Sequence, residues 1–407
     1  MTSISFTHDI SKPQILKRIE SMCYRLQWRQ LVGSHAAALE TIKLLREVIA
    51  SARFASFDQL CTHLVEVGDL LTKMAPKEFV IGNMVKRVII LIKEEYASAF
   101  AAYLDSHLKQ IQNKPFDSQN PSTTSSSYCS TPRNGATFGD SVPRLLGQKL
   151  MMTEADDEDQ SDDNRVNEEH DFSTKSLSLK PIFIEAVQEL YDELDLVQEG
   201  VATQAPEHIH SGEVIMTFDY SRTVASFLQS AAKSKRHFTV IVSETAPNFR
   251  GRELAQALSN FTPPISSVIV SDASTFALMS RCTKLIIGCH VVFADGSVLA
   301  KSGALGLALA ARAHLVPVVV VCGMYKFSPV YLTAGEEWSI ADMKTPDEVL
   351  KVPELTGEVI EGSGDVEVLN PFYDRVPADL ISLFITNLGG HPTSLVYRLL
   401  KDLYGTT

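Results

Sequence analysis

Residues 284–329 constrain the fold more than any other part of the chain. They read KLIIGCHVVFADGSVLAKSGALGLALAARAHLVPVVVVCGMYKFSP, in which apolar, β-branched runs at 285–287 and 316–322 flank a stretch of small residues. Continuous runs of this kind predict strands buried on both faces of a sheet. The small residues of Ser302–His314 predict a helix that packs close to that sheet. Together these features predict one βαβ unit of an open parallel sheet.

The same alternation extends upstream of this unit. Strands are predicted at Glu213–Met216, Phe238–Val242 and Val268–Val270, each followed by a polar loop and then a helical segment. Strands that alternate with helices through short loops are typical of a doubly wound parallel sheet. The fold class is therefore α/β, with a C-terminal Rossmann-like domain.

Polar side chains follow the predicted strands and should meet in one crevice, because ligand sites of open α/β sheets lie at the carboxyl ends of strands. The crevice candidates are Asp219, Arg222, Glu244, Arg250, His290 and Lys301. No GxGxxG sequence follows the first strand, so the usual dinucleotide fingerprint is absent.

The chain changes character before the sheet. From Pro13 to Gln112, apolar residues recur at helical spacing, which predicts an N-terminal helical domain over residues 1–112. A further amphipathic helix, Pro181–Glu199, connects to the α/β part, so residues 179–407 are assigned to the second domain. A length of 407 residues agrees with two domains.

Residues 113–178 are assigned to a disordered linker or insertion. Its first part is rich in Ser, Thr and Pro, and its segment 154–171 carries ten acidic residues against Arg165 alone. That segment accounts for −9 of the formal net charge of −12. Sequences with so little apolar content do not bury enough surface to offset chain entropy. A charged interaction or phosphorylation segment is the alternative.

Composition excludes several function classes. No apolar run approaches the roughly 20 residues that span a bilayer, and no basic patch with interleaved aromatics indicates direct nucleic-acid binding. The six cysteines form no CxxC pair, which favours reduced thiols in the cytosol. The sequence predicts no metal site and no cofactor, and a location in the cytoplasm.

Several motifs carry a resemblance to a known family. EHIHSGEVIMTFDYSRTV, VIVSETAPNFRGRELA, DASTFALMSRCTKLIIG, MYKFSP and the C-terminal DRVPADLISLFITNLGGHPTSLVYRLLKDLY resemble the regulatory subunits of eukaryotic translation initiation factor 2B. Among the alpha, beta and delta subunits, these motifs are most similar to those of beta. The resemblance runs from the first helix to the C-terminus, apart from the acidic insertion.

The resemblance implies a non-catalytic scaffold in the guanine-nucleotide exchange factor for translation initiation factor 2. Its implied partners are the alpha, gamma, delta and epsilon subunits of factor 2B and the alpha subunit of initiation factor 2, whose phosphorylation inhibits exchange. Glu185 and Glu189 lie on a helix that matches a contacting helix of the family, which makes them the candidate partner-binding residues. A solvated acidic face is the structural alternative.

The same superfamily contains sugar-phosphate isomerases that act on methylthioribose phosphate and ribose bisphosphate. Their catalytic cysteine and aspartate match Asp219 and His290 here, and a phosphate-binding arginine matches Ala246. These replacements argue against isomerase activity, so no catalytic residue is assigned.

Two alternatives remain open from the residues. The crevice could serve as a sugar-phosphate or nucleotide sensor, in which Arg222, Arg250 and Lys301 supply positive charge. Otherwise these cations pair internally with Glu244, Asp272 and Asp295. The apolar C-terminal stretch from Asp379 is expected either at a subunit interface or in the core of the same chain.

Overall fold

The computed structural model describes residues 13–31, 33–54, 56–112, 179–332, 340–350 and 367–405, with side chains left out at 105–112. The predicted linker 113–178 lies outside the described residues. The described residues up to Tyr96 form one compact unit with those from residue 179 onward, and residues 97–112 are grouped in a second unit.

In the described part of the chain, four helices precede the acidic segment, and a fifth follows it. They are α1 (Pro13–Gln27), α2 (Ser34–Ser51), α3 (Phe57–Met74), α4 (Phe79–Gln112) and α5 (Lys180–Thr203). Each presents apolar residues at three- and four-residue spacing to one core, as the sequence pattern predicts. Gly68 of α3 faces Val85 of α4 closely enough that a Cβ at residue 68 would lie 2.5 Å from a Val85 methyl group.

Ten strands and six further helices are described in the α/β part. The strands are β1 (Val214–Phe218), β2 (Thr239–Ser243), β3 (Ser266–Val270), β4 (Lys284–Gly288), β5 (Val291–Val292), β6 (Val298–Lys301), β7 (Val318–Val321), β8 (Tyr373–Val376), β9 (Leu383–Thr386) and β10 (Gly389–His391). The helices are α6 (Ala205–His208), α7 (Arg222–Lys233), α8 (Arg250–Ser259), α9 (Thr275–Met279), α10 (Ala304–Ala313) and α11 (Val396–Tyr404).

Seven strands form the central sheet in the order β10-β9-β7-β4-β1-β2-β3. All neighbours are parallel except the hairpin of β9 and β10. The chain moves outward from β1 through β2 to β3, then returns to place β4 on the other side of β1. This reversal defines a doubly wound sheet, and the predicted fold class is confirmed. Strands β5, β6 and β8 form a small antiparallel sheet beside it.

The two faces of the central sheet are buried in two different apolar clusters. Ile215 and Val240 belong to a cluster that also contains buried residues of α1 to α5. Met216 and Ile241, their neighbours in sequence, belong to a second cluster that contains α10 and α11. Alternate residues of a strand point to opposite faces, so consecutive apolar residues of β1 and β2 contribute to different clusters. The domain boundaries 1–112 and 179–407 remain a prediction.

The C-terminal stretch packs into the core of its own chain. Leu380, Phe384, Ile385, Val396 and Leu400 are buried, and four of them lie in the cluster of α10 and α11. Of the two expectations for this stretch, the structure supports packing in the core of the same chain for these residues. Among the described residues, no helix has the length and apolar character needed to cross a membrane.

Candidate functional site

A deep cavity opens where the strand order reverses between β1 and β4. Its volume is about 1050 Å³, and the loops after β1, β4 and β7 line it together with the N-terminal helices and the edge of the small sheet. Five of the six crevice candidates line this cavity: Asp219, Arg222, Arg250, His290 and Lys301. Five of the six residues that the sequence places in the crevice therefore line one cavity.

Asp219 and Arg250 meet on the β1 and β2 side of the cavity. The Asp219 backbone is left-handed, with φ 58°, and its N–H donates to Thr245 Oγ1 at 3.1 Å. Arg250 Nε lies 3.7 Å from Asp219 Oδ1, and its guanidinium donates to the Tyr220 carbonyl at 3.1 Å. The carboxylate thus faces the first turn of α8 across a loose ion pair.

Glu244 lies outside the cavity lining, although the sequence placed it there. Its carboxylate accepts a hydrogen bond from Arg252 at 2.8 Å. The loop is held instead by Asp272, which accepts from the Thr245 and Ala246 N–H groups at 3.0 and 2.7 Å and from the Ser243 hydroxyl. Because this carboxylate binds backbone, it organises the loop and does not point to a ligand.

His290 is buried, and its ring makes several polar contacts, including contacts with the N-terminal helical region. Its Nδ1 lies 3.3 Å from both Ser34 Oγ and Tyr373 Oη, and its Nε2 lies 3.2 Å from the Lys77 carbonyl. Burial lowers the pKa of His290 to about 4. A neutral imidazole that joins three separate segments is typical of a structural residue.

Lys301 lies at the end of β6, against aromatic rings. Its Nζ is 2.9 Å from the ring centroid of Phe372 and 5.0 Å from that of Tyr373. Burial lowers the pKa of Lys301 to about 7, while the nearby Asp219 carboxylate acts in the opposite direction. Lys301 is therefore a cation that loses its charge near neutral pH unless an anion approaches.

The sequence offered internal ion pairs with Glu244, Asp272 and Asp295 as an alternative for these cations. The partners predicted in this way are wrong. Arg250 pairs with Asp219, and Asp295 pairs with Arg375 at 2.7 Å. In the part of the chain that the structure describes, neither Arg222 nor Lys301 forms an ion pair with a carboxylate. Arg222 begins α7 at the cavity wall, with an exposed side chain.

Sequence reasoning missed the residues that other segments bring to the cavity. Asp342 forms ion pairs with Arg29 and Lys77, the latter at 2.9 Å. Burial raises the pKa of Glu78 to about 7, and its Oε2 lies 3.5 Å from His290 Nε2. No local pattern marks these residues, since they become neighbours only when the helices pack on the sheet.

Lys326 is a missed residue for which the sequence held a signal. It is buried, lines the cavity and donates to the Cys289 carbonyl at 2.7 Å. It follows β7 in the same way as His290 follows β4, at the carboxyl end of a parallel strand. The rule that identified the other crevice residues applies to it equally.

Glu185 and Glu189 lie on the exposed face of α5, away from the cavity lining. Asp192 and Glu193 are exposed on the same helix, while Phe183, Val187, Leu190 and Leu194 are buried on the opposite face. The described chain shows no ion pair for either glutamate. The acidic face predicted from the sequence is thus a surface feature, and its role as a binding site remains a prediction.

A doubly wound sheet with a cavity at its switch point places the chain among Rossmann-like α/β proteins. The chain belongs to the Initiation factor 2 subunit family, whose sequence pattern matches residues 30–393. It is 36% identical over 392 residues to a Schizosaccharomyces pombe protein named translation initiation factor eIF2B subunit beta, with 95% of each chain covered. The resemblance found in the motifs is therefore confirmed.

Solved structures agree with this assignment. The crystal structure of eIF2B beta from Chaetomium thermophilum matches with a TM-score of 0.66 and 26% identity, over 96% of this chain and 92% of that one. A chain of the tetrameric eIF2B-beta2-delta2 complex from C. thermophilum shares the fold, with a TM-score of 0.63 and 24% identity over 96% and 95% of the two chains.

Proposed function

We propose that the chain is a non-catalytic regulatory subunit of the guanine-nucleotide exchange factor for translation initiation factor 2. The observation that carries this proposal is the 36% identity to a protein named translation initiation factor eIF2B subunit beta, over 95% of each chain. Alpha, gamma, delta and epsilon subunits of factor 2B are its proposed partners in the cytosol. Exchange chemistry belongs to other subunits.

The positions of Asp219 and His290 in the crevice argue against isomerase activity. Such an isomerase needs an acid and a base placed to move hydrogen between adjacent carbons. His290 is held by Ser34, Tyr373 and the Lys77 carbonyl, so both ring nitrogens already have partners. Asp219 faces Arg250. Neither group is free to act as the general base, which favours a binding or scaffolding role for this domain.

The exposed face of α5 is the proposed contact for the alpha subunit of initiation factor 2. The part of the chain that the structure describes shows no ion pair for Glu185 or Glu189, so a basic surface on a partner would relieve their mutual repulsion. Complementary charge of this kind raises association rate and specificity more than it raises affinity. Phosphorylation of the partner would act on exchange through contacts made by this regulatory subunit.

A tagged pull-down tests both parts of this proposal. The wild-type chain, isolated from its native cytosol, should recover four other subunits and initiation factor 2 in near-stoichiometric yield. The double variant Glu185→Lys, Glu189→Lys should recover the four subunits but bind unphosphorylated initiation factor 2 about tenfold more weakly, because like charges then face each other.

The matched control is Glu253→Lys with Asp402→Lys, which reverses two exposed acidic residues on other helices. This control should bind initiation factor 2 like the wild type. Equal affinity for all three chains would refute the α5 contact alone. Recovery of the wild-type chain as a homodimer without other subunits would refute the regulatory-subunit assignment.

A second candidate function is anion sensing in the crevice, which the unpaired charges of Arg222 and Lys301 favour. Seven basic side chains line the cavity against three carboxylates: Arg29, Lys77, Arg222, Arg250, Lys301, Lys326 and Lys344 against Glu78, Asp219 and Asp342. A volume of about 1050 Å³ is large enough for a sugar phosphate or a nucleotide. A phosphate group binds best to basic side chains whose charge is not already paired with a carboxylate of the same chain.

A thermal-shift screen with sugar phosphates and nucleotides tests this candidate. A ligand at a hundred times its Kd should stabilise the chain by about 2.7 kcal/mol, and the shift should be lost in Lys301→Met. Because the pKa of Lys301 is about 7 without ligand, anion binding above that pH requires proton uptake, so affinity should fall as pH rises from 7 to 9. An unchanged melting temperature with every compound would refute the sensor.

A further inference from the structure

Two cysteines lie side by side at the bottom of the cavity. Strands β4 and β7 are parallel neighbours in which Gly288 pairs with Val321. Cys289 and Cys322 each follow that pair by one residue, so they continue the same register. Cys289 lines the cavity, and Cys322 is fully buried behind it.

This register places the two residues within the range of a disulfide. Neighbouring strands lie about 4.8 Å apart, and disulfides join Cα atoms about 4.4–6.8 Å apart. Both side chains belong to the same apolar cluster, on one face of the sheet. Each thiol also shifts the pKa of the other: Cys322 lowers the pKa of Cys289, and Cys289 raises the pKa of Cys322.

The surroundings distinguish Cys289 from the other described thiols. The hydrogen bond with Cys322 lowers the pKa of Cys289, and the nearby Lys326 ammonium acts in the same direction. Burial instead raises the pKa of Cys23, Cys61 and Cys282 to about 11. Since the thiolate is the reactive form, Cys289 is the described cysteine best suited to attack an oxidant.

We propose that Cys289 and Cys322 form a redox-active thiol pair that hydrogen peroxide converts into an intramolecular disulfide. The Cys289 thiolate attacks one peroxide oxygen, so an S–O bond forms, the O–O bond breaks and hydroxide leaves to become water. The Cys322 thiol then attacks the sulfenic sulfur, so the S–S bond forms, the S–O bond breaks and a second water leaves. Two electrons pass from the thiols to the peroxide.

The cavity explains why peroxide would react with Cys289 first. Peroxide is small enough to reach Cys289 through a space of about 1050 Å³, whereas Cys322 is reached only through Cys289. Closing the bond joins strands that are already hydrogen-bonded, so the fold is retained. The change is confined to the cavity floor between His290 and Lys326. This inference does not depend on the proposed function.

The test exposes the fully reduced, full-length chain to one equivalent of hydrogen peroxide and then alkylates the remaining thiols in denaturant. Peptide mapping should find a linked pair that contains Cys289 and Cys322, reversible by dithiothreitol. This pair should form at least about tenfold faster than Cys23, Cys61 or Cys282 is oxidised, because those thiols stay protonated. Cys129 is followed in its own peptide.

Two variants separate the steps of the reaction. In Cys322→Ser, Cys289 should accumulate as a sulfenic acid that dimedone traps, since no second thiol resolves it. In the control Cys282→Ser, the linked pair should form as in the wild type. Complete alkylation of Cys289 and Cys322 after peroxide treatment would overturn the proposal, and this readout on the wild-type chain holds even if a variant does not fold.

Discussion

Gly251→Ala should destabilise the chain by about 3 kcal/mol or more, although it adds a single methyl group. A Cβ at residue 251 would lie 1.8 Å from the Ser243 carbonyl oxygen and 2.9 Å from its carbonyl carbon. These are backbone atoms of β2, so no side chain rotates away to make room. Overpacking a core usually costs about 1–3 kcal/mol, and a clash between two backbones exceeds that range. Chemical denaturation followed by circular dichroism measures the loss.

Gly306→Ala is the matched control for this prediction. Gly306 is the third residue of α10, and a Cβ there would have no neighbour within 4 Å. Alanine is favoured over glycine inside helices by roughly 0.5–1 kcal/mol, so this variant should be slightly more stable than the wild type. If both variants unfold at the same denaturant concentration, the close approach of α8 to β2 is incorrect.

Phe183→Ala should cost about 3–5 kcal/mol, the usual range for removing a buried phenyl ring. Phe183 is fully buried in α5, where its ring centroid lies 5.9 Å from that of Phe57 in α3. The same apolar cluster continues into β1 and β2 through Ile215 and Val240. The cavity left by the ring therefore weakens the contact between the helices and the sheet, and calorimetry should show a lower melting temperature.

Leu196→Ala on the same helix supplies the comparison. Leu196 is 61% exposed, and surface substitutions of this kind stay within about 0.5 kcal/mol of the wild type. Both variants exchange an apolar side chain of α5 for alanine, so helix propensity changes little between them. A similar loss of stability in both would mean that burial does not distinguish the two faces of α5.

Strands β4 and β7 could be predicted because their apolar side chains are buried on both faces of the sheet. At Leu285–Ile287 and at 318–321, no polar residue is tolerated on either face, so the continuous apolar run marks the strand. The crevice residues could be predicted for a related reason, since the carboxyl ends of parallel strands lie at one edge. Asp219, Arg250 and His290 were found in this way, whereas Lys301 reaches the same cavity from β6 of the small antiparallel sheet.

Glu244 shows where this rule stops. It follows β2 in sequence, yet its carboxylate pairs with Arg252, and the residue does not line the cavity. The direction of a loop side chain depends on the local backbone, here on a loop held by Asp272 from the neighbouring strand end. That interaction joins residues 27 positions apart, and no local pattern reports it.

The sequence by itself determined the α/β class, the family and the edge of the sheet at which the cavity lies. Those features depend on side-chain periodicity and on motifs that are local in the chain. Only the tertiary structure decided which charges face each other: Asp342 with Arg29 and Lys77, Glu78 beside His290, and Lys301 against aromatic rings without a carboxylate. Electrostatic pairing depends on distances of a few ångströms between remote segments, and packing of the helices on the sheet sets those distances.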